Sequence, residues 1–310
     1  MKKEYKQIDV IGDIHGHAME LETLLVLMGY QETDGVYRHS QGRRMVFLGD
    51  LIDRGPNIRR VLQIVKAMTD AGEAFAILGN HEVNALRFHT MGRDGNPLRP
   101  HTYQNVKQHQ ATMDQISDLK ERAQWLNWFA GLPLSLEMGP LRFVHACWDP
   151  KAITMLNGYG RLEGETLEKF SRKGTLEETS ISQIVNGPES ILPANYSHET
   201  ADGRVRAEFR VKWWMDLEGK NCRELIFPEN PEIPELPPLT LPTVSRFSSE
   251  APITFFGHYA IKNAAPAPIL PKLACLDYGS GKGGMLCGYQ WDGERALDKN
   301  KFVTTRNTSI

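Results

Sequence analysis

The sequence predicts an α/β protein in which buried parallel strands alternate with amphipathic helices. Two observations support this prediction. Short apolar runs that end in glycine recur near the start of the chain, in the segments IDVIGD, MVFLGD and AFAILGN. Each run has the length of a buried strand and is rich in β-branched and aromatic residues. Stretches with helical spacing of their apolar residues separate these runs.

The first helix is predicted in HAMELETLLVLMGY, between the first two strands. There Leu21, Leu24 and Leu25 are spaced to share one helix face, and Gly29 provides a C-cap. A second amphipathic helix is predicted in NIRRVLQIVKAMTDAG, between the second and third strands. Residues 7–80 therefore have a β-α-β-α-β pattern with an additional β-turn. This pattern favours parallel strands that end at one edge of a sheet, where ligands bind.

The remaining chain contains two further predicted strands, in LRFVHA and ITFFGH, and two long segments of different character. Residues 88–124 are polar, with a loop followed by one or two helices. Residues 151–245 include helical stretches and a proline-rich part, which we expect to be extended or irregular because proline disrupts helices and central strands. Since the last of these strands completes the same site, we expect one domain, 1–310, with cap-like insertions at about 88–124 and 151–245.

Composition excludes several classes of protein. The formal net charge is -2 and 24% of residues are charged, so there is no basic field for nonspecific nucleic-acid binding. No apolar run is long enough to cross a bilayer, and no signal-peptide core follows the basic start. The four cysteines are widely spaced, which fits reduced thiols. We therefore expect a cytoplasmic protein with no membrane or nucleic-acid partner.

Residues of the types that bind metals follow each of the five predicted strands. Three of them can hold a first divalent cation: Asp13, His15 and Asp50. Four can hold a second, with the aspartate shared: Asp50, Asn80, His145 and His258. Two neighbouring cations activate a water molecule and stabilise both ends of an in-line displacement. Mixed oxygen and nitrogen ligation without cysteine suits Mn, Fe or Zn, of which Mn is our first expectation.

The blocks GDIHG, GDLIDRGP and GNHE, with the single histidines of FVHA and FFGHYA, resemble the calcineurin-like metallophosphoesterases. The closest branch is that of the phosphoprotein phosphatases, with its diadenosine tetraphosphatase-like and Ser/Thr phosphatase-like enzymes. The resemblance implies a sandwich of two mixed β-sheets flanked by helices, with helical and loop insertions forming a cap. It also implies direct hydrolysis by a metal-bridging hydroxide. The C-terminal segments CLDYG and GMLCGYQWDGE resemble hairpin strands that close the second sheet.

The resemblance also assigns roles to residues beyond the metal ligands. His81 would be the general acid that protonates the leaving oxygen, and Asp53 would pair with it. Arg54 would bind phosphate oxygens with its planar fork. Arg210 is a weaker candidate for a second phosphate-binding arginine, since an ordinary strand arginine fits the pattern equally well.

The substrate is less well determined than the chemistry. The last block is GHYA, without a second histidine, which argues against the nuclease-like branches. His15 and Asp53 are the protein-phosphatase-like choices, because symmetrical diadenosine tetraphosphatases tend to carry Gln and Asn there. Our first hypothesis is thus a Ser/Thr protein phosphatase-like enzyme, and the alternative is a diadenosine tetraphosphate or nucleotide pyrophosphohydrolase. A noncatalytic phospho-binding regulator is less favoured, because every expected ligand is present.

The segment after GNHE contains basic side chains that could line the mouth of the site and suit a polyphosphate, or could belong to a solvated loop. They are Arg87, Arg93, Arg99 and His101. The expected partner is a phosphorylated substrate, whether a phosphoprotein, a nucleotide or a small phosphoester.

Overall fold

The computed structural model describes residues 6–199, 205–262 and 264–305. Its helices are α1 Ala18–Leu27, α2 Ile58–Asp70, α3 Asn80–His89, α4 Tyr103–Gln115, α5 Leu119–Ala130, α6 Pro150–Leu156, α7 Gly164–Lys169, α8 Leu176–Asn186 and α9 Cys222–Leu225. The strands of the first half are β1 Ile8–Ile11, β2 Tyr30–Thr33, β3 Val36–His39, β4 Arg44–Phe47, β5 Ala74–Ala76, β6 Ser135–Met138 and β7 Leu141–Val144. Those of the second half are β8 Glu189–Ile191, β9 His198–Glu199, β10 Val205–Arg206, β11 Glu208–Val211, β12 Ile226–Phe227, β13 Ile253–Phe256, β14 Leu273–Cys275, β15 Asp277–Tyr278, β16 Met285–Trp291 and β17 Phe302–Thr304.

The first large sheet has the strand order β15-β16-β1-β4-β5, and β17 also pairs with β16, on the edge away from β1. The strands β1, β4 and β5 are parallel, with Ile11 opposite Phe47 and Phe47 opposite Ala76. Helices α1 and α2 connect them, and the hairpin β2–β3 lies between α1 and β4. The predicted alternation of strands and helices over residues 7–80 is therefore confirmed.

The second large sheet has the order β14-β13-β7-β6, in which β13 runs parallel to both β7 and β14. The two large sheets pack face to face through a buried apolar layer that includes Val10 and Val46 from the first and Phe143 and Phe255 from the second. The opposite face of the first sheet packs against α1 and α2. This mixed α/β architecture is the one that the sequence predicts.

The C-terminal strands depart from the prediction. Only Leu273–Cys275 joins the second sheet. Asp277–Tyr278 and Met285–Trp291 belong instead to the first sheet, where the longer strand runs antiparallel to Ile8–Ile11. The expectation that both C-terminal segments close the second sheet is wrong. A strand buried on both faces carries no amphipathic pattern that would tell which sheet it joins.

The two long insertions have structure of their own. The first contains α4 and α5, and α4 packs against α2 through Ile58, whose backbone N–H donates to Gln115 Oε1 at 2.7 Å. The second contains α6 to α9 and a small sheet, β12-β11-β8, on which Arg210 lies. Residues 228–252 form neither helix nor strand, as the proline content predicts. Within the described ranges, no helix combines the length and apolar character needed to cross a membrane.

Candidate metal centre

The side chains predicted to bind metal follow the carboxyl ends of strands from both large sheets. Asp13 and His15 follow β1, Asp50 follows β4, Asn80 begins α3 after β5, His145 follows β7 and His258 follows β13. Because parallel strands of one sheet end at a common edge, the two edges together form a single polar site. All of these side chains are buried except that of His258, which is half-buried.

The turns that form the site are strained. Seven non-glycine residues of the described chain have positive φ, and five of them belong to this site: His15 (48°), Asp50 (51°), Asp53 (67°), Arg54 (68°) and His258 (63°). A left-handed conformation costs an ordinary residue about 1–2 kcal/mol. Gly49, which directly precedes Asp50, packs against the backbone of Gly79 in the neighbouring turn. A Cβ at position 49 would lie 2.3 Å from the backbone nitrogen of Gly79, so no larger residue fits there. The folded core thus holds these side chains in place at an energetic cost.

Two groups of side chains could each hold an ion. Within each group the candidate ligand atoms lie within 4.8 Å of one another, and the groups are His15, Asp50 and His81, and Asp50, His145 and His258. His15 Nδ1 lies 3.0 Å from the Ile52 carbonyl oxygen, so it donates there and directs the Nε2 lone pair towards Asp50. Asp13 is outside both groups, and its carboxylate accepts the His258 backbone N–H at 3.1 Å.

The second group contains a convergence of acceptor atoms. His145 Nδ1 lies 2.7 Å from the Leu48 carbonyl oxygen, and its Nε2 faces Asp50 Oδ1 at 3.3 Å. The Asn80 side-chain oxygen lies 3.1 Å from this Nε2 and 2.9 Å from His258 Nδ1. Either a cation or a rotated Asn80 amide would relieve these contacts. Carboxylate, amide and imidazole donors at one point are the ligands that a divalent cation prefers, so the residues fit such an ion.

The charges in the site favour a cation as well. Burial opposes ionisation of Asp50, but His145 and His81 hold the pKa of this carboxyl well below its usual range. Burial also opposes the charged form of His145, yet Asp50 outweighs it and raises the pKa of that imidazole to about 10. A proton on His145 Nε2 and a divalent cation at that atom are alternatives, and both answer the negative charge of Asp50. The cluster therefore attracts positive charge.

His81 and Asp53 form a buried pair beside the first group. His81 Nδ1 lies 2.6 Å from Asp53 Oδ2, and the backbone N–H of His81 donates to Asp50 Oδ1 at 3.0 Å. His81 Nε2 lies 3.4 Å from Arg54 Nη2. Although burial opposes it, hydrogen bonds from His109 and His81 hold the pKa of Asp53 far below its usual range. Asp53 is therefore ionised and orients the His81 ring.

Two residues that form hydrogen bonds with Asp53 were not predicted from the sequence. His109 Nδ1 lies 2.8 Å from Asp53 Oδ1, and the Thr112 hydroxyl donates to the same oxygen. The same hydroxyl accepts the backbone N–H of Asp53 at 3.0 Å. Both residues lie on α4, 56 and 59 positions along the chain from Asp53, and nothing in their local sequence signals this contact.

Glu82, the last residue of the GNHE block, also has a structural task that the sequence analysis leaves unassigned. Its carboxylate accepts backbone N–H groups from Gly79 and Asp50 at 2.9 Å, Leu51 at 2.8 Å and Ile52 at 3.3 Å. One buried side chain thus ties the turn after β4 to the turn before α3. Its place in the GNHE block, directly after Asn80 and His81, is the signal that could have identified it.

Arg54 and Arg210 approach the site from different elements. The Arg54 side chain is exposed, beside His81. The Arg210 guanidinium carbon lies 5.1 Å from the centre of the Tyr259 ring, and its buried Nε has no hydrogen-bond partner. After burial, the charge of Arg210 is the largest influence that lowers the pKa of His258. Arg210 therefore adds positive charge on the His258 side of the candidate metal centre.

The basic residues after GNHE do not all face the site. The Arg87 guanidinium donates to the Phe170 carbonyl oxygen, Arg93 lies 3.4 Å from Glu168, and the His101 ring lies 2.8 Å from the Phe88 carbonyl oxygen. Arg99 instead donates to Gln108 Oε1 at 2.6 Å, and Gln108 contacts His81. Of the four, Arg99 is connected to His81 through one intervening side chain.

Known proteins resemble this chain over much of its length. Residues 6–214 match the family described as calcineurin-like phosphoesterase. Bis(5'-nucleosyl)-tetraphosphatase PrpE (asymmetrical) of Oceanobacillus iheyensis is 45% identical over 82 residues, which are 26% of this chain and 33% of that protein. The protein of the same name from Geobacillus thermodenitrificans is 32% identical over 169 residues, 51% of this chain and 67% of that protein. The chain thus spans about a third of the length of the first of these relatives.

Among solved structures, a cold-active protein-tyrosine phosphatase of a psychrophilic Shewanella is similar, with a TM-score of 0.50 and 16% identity. The similarity covers 92% of this chain and 75% of that one. At this level of identity the two proteins share a fold.

Proposed function

The chain belongs to the calcineurin-like phosphoesterase family, and we propose that it hydrolyses a phosphoanhydride bond of a dinucleoside tetraphosphate. The observation that carries the chemistry is the convergence of Asp50, Asn80, His145 and His258 beside the His81–Asp53 pair. The choice of substrate is supported by relatives that are named as asymmetrical bis(5'-nucleosyl)-tetraphosphatases. Our first hypothesis from the sequence, a Ser/Thr protein phosphatase, has no comparable support. We therefore propose the alternative hypothesis, hydrolysis of a dinucleoside tetraphosphate.

Two divalent ions, with Mn as the first candidate, would be held by Asp13, His15, Asp50, Asn80, His145 and His258. When bound, they would activate a water molecule and neutralise charge on the phosphate. Asp50 belongs to both groups of candidate ligands, so its carboxylate would be shared between the two ions.

The other side chains would bind the substrate and move a proton. Arg54 offers a planar fork beside His81, which suits the oxygens of the phosphate under attack, and Arg210 supplies a second cation. His81 would hold the proton at Nε2 for the leaving oxygen, because its Nδ1 is engaged by Asp53. In asymmetrical cleavage of diadenosine tetraphosphate, the products are AMP and ATP.

The test is a turnover assay with Mn²⁺ that compares diadenosine tetraphosphate with a phosphoserine peptide at equal concentration. We expect faster cleavage of the dinucleotide, with AMP and ATP as the separated products. The Asp50→Asn protein, purified in the same way, controls for contaminating hydrolases. Faster release of phosphate from the peptide would overturn the proposal in favour of a protein phosphatase, and two molecules of ADP would show symmetrical cleavage instead.

A further inference from the structure

Gln108, on α4 in the first insertion, points its amide into the candidate active site. Its Nε2 lies 3.3 Å from His81 Nε2, on the side of the ring that is turned away from Asp53. Arg99 Nη2 donates to Gln108 Oε1 at 2.6 Å. Because a guanidinium is a donor only, this contact fixes the amide with its oxygen towards Arg99 and its NH₂ group towards His81. Gln108 thus presents an oriented hydrogen-bond donor beside His81 Nε2. When Nε2 itself carries a proton it cannot accept, and this NH₂ group then needs another acceptor.

The position of this donor bears on the leaving group. If His81 Nε2 delivers a proton to the leaving oxygen, that oxygen lies within hydrogen-bond distance of Nε2 in the complex. A donor 3.3 Å from Nε2 is then near the first atoms beyond the leaving oxygen. In a phosphoanhydride these atoms are a second phosphate with anionic oxygens, which accept hydrogen bonds. In a serine phosphomonoester they are a methylene group, which cannot.

We propose that Gln108 is a substrate-contacting residue that favours phosphoanhydrides over phosphomonoesters, by donating a hydrogen bond to the phosphate on the leaving side. Arg99 is the positioning residue that orients its amide. Arg54, whose Nη2 lies 3.4 Å from the same His81 atom, supplies charge on that side of the site. This inference rests on the proposed function, because it names the part of the same site that recognises the second phosphate.

The main experiment compares Gln108→Ala with the wild-type protein on diadenosine tetraphosphate and on p-nitrophenyl phosphate. A hydrogen bond to a charged group is worth about tenfold to hundredfold in transition-state binding, so kcat/KM for the dinucleotide should fall by that factor. For the aryl monoester it should stay within about twofold. Gln110→Ala is the matched control, because Gln110 lies on the same helix, is exposed and donates its amide to Asp114, one turn along that helix. An equal loss on both substrates would overturn the proposal, since Gln108 would then act only by supporting His81.

Arg99 is tested through the coupling of two substitutions. If Arg99 acts by orienting Gln108, Arg99→Ala should lower kcat/KM for the dinucleotide selectively, and the double variant should lose no more than Gln108→Ala alone. Arg99→Lys should recover part of the loss, because it keeps one donor towards Oε1. Additive losses in the double variant would contradict the positioning role.

A binding measurement separates this inference from the proposed function. Calorimetric titration of the Mn²⁺-loaded proteins with inorganic pyrophosphate should show about tenfold or more weaker binding to the Gln108→Ala protein, and unchanged binding of orthophosphate. If wild type fails to cleave the dinucleotide but this difference is found, the proposed function fails and the subsite stands. If pyrophosphate binds both proteins equally, the subsite is refuted whatever the enzyme cleaves.

Discussion

Replacement of His81 by asparagine tests whether this residue is an acid or a metal ligand. The structure leaves both roles open by distance alone, because His81 belongs to one of the two candidate ligand groups, with its Nε2 3.9 Å from Asp50 Oδ2. The charge beside Nε2 argues against the metal ligand. The Arg54 guanidinium, whose Nη2 lies 3.4 Å away, would repel a cation bound to that atom.

The expected magnitude follows from what asparagine keeps and removes. Its side-chain amide can occupy the place of Nδ1 and donate to Asp53, so that carboxylate keeps its partner. The group at Nε2 is lost, and with it proton transfer to the leaving oxygen. Such transfer contributes about 100- to 10,000-fold, or roughly 3–5.5 kcal/mol of activation free energy.

The assay measures kcat with Mn²⁺ at saturating substrate, together with metal per chain by mass spectrometry. We expect kcat to fall within that range while the metal content matches that of wild type. The loss should be smaller for p-nitrophenyl phosphate than for an alkyl phosphate, because a stable leaving group needs less protonation. Loss of one ion per chain, or an equal loss for both leaving groups, would refute the acid role.

Three further predictions concern the ligands and their support. Asp50→Asn removes the carboxylate common to both groups, so turnover should disappear and metal per chain should fall; two retained ions would contradict a shared role. Thr112→Val removes both hydrogen bonds of that hydroxyl with Asp53, so the free energy of unfolding measured in urea should fall by about 2–4 kcal/mol, and an unchanged value would show that water replaces them. Burial, followed by the neighbouring His109, lowers the pKa of His89 to about 4, whereas an unfolded histidine titrates near 6.5. Between these values the unfolded state binds more protons, so stability should fall as pH drops from about 6.5 to 4, by about 2 kcal/mol after allowance for partial exposure. His89→Asn should flatten this dependence, and an identical pH profile in the variant would assign it to another group.

The strands and the ligands that follow them could be predicted because each signal is local. An apolar run, a glycine and one or two polar residues occupy fewer than about ten positions, as in the segment from Ile8 to His15. Right-handed parallel connection then brings the strand ends together without any further information. This is why Asp50 and Asn80 could be placed beside each other before the structure was known.

What could not be predicted depends on contacts between distant parts of the chain. The C-terminal strand Met285–Trp291 is buried on nearly its whole length, so its residue pattern is the same for either sheet. His109 and Thr112 lie on a polar helix whose sequence predicts only that it is helical. Their role depends on the docking of α4 against α2, which the local sequence does not specify.

The left-handed turns at the metal centre have a consequence for how this chain can change under selection for heat resistance. At five positions, among them Asp53 and Arg54, a side chain is kept in a conformation that glycine adopts freely. A screen that rewards only survival of heating would therefore tend to collect glycines at these turns and to lose the side chains that the proposed hydrolysis needs. At these positions a substitution that relieves backbone strain also removes a side chain of the candidate site. A screen that demands both must find its stabilising substitutions elsewhere, away from the strand ends.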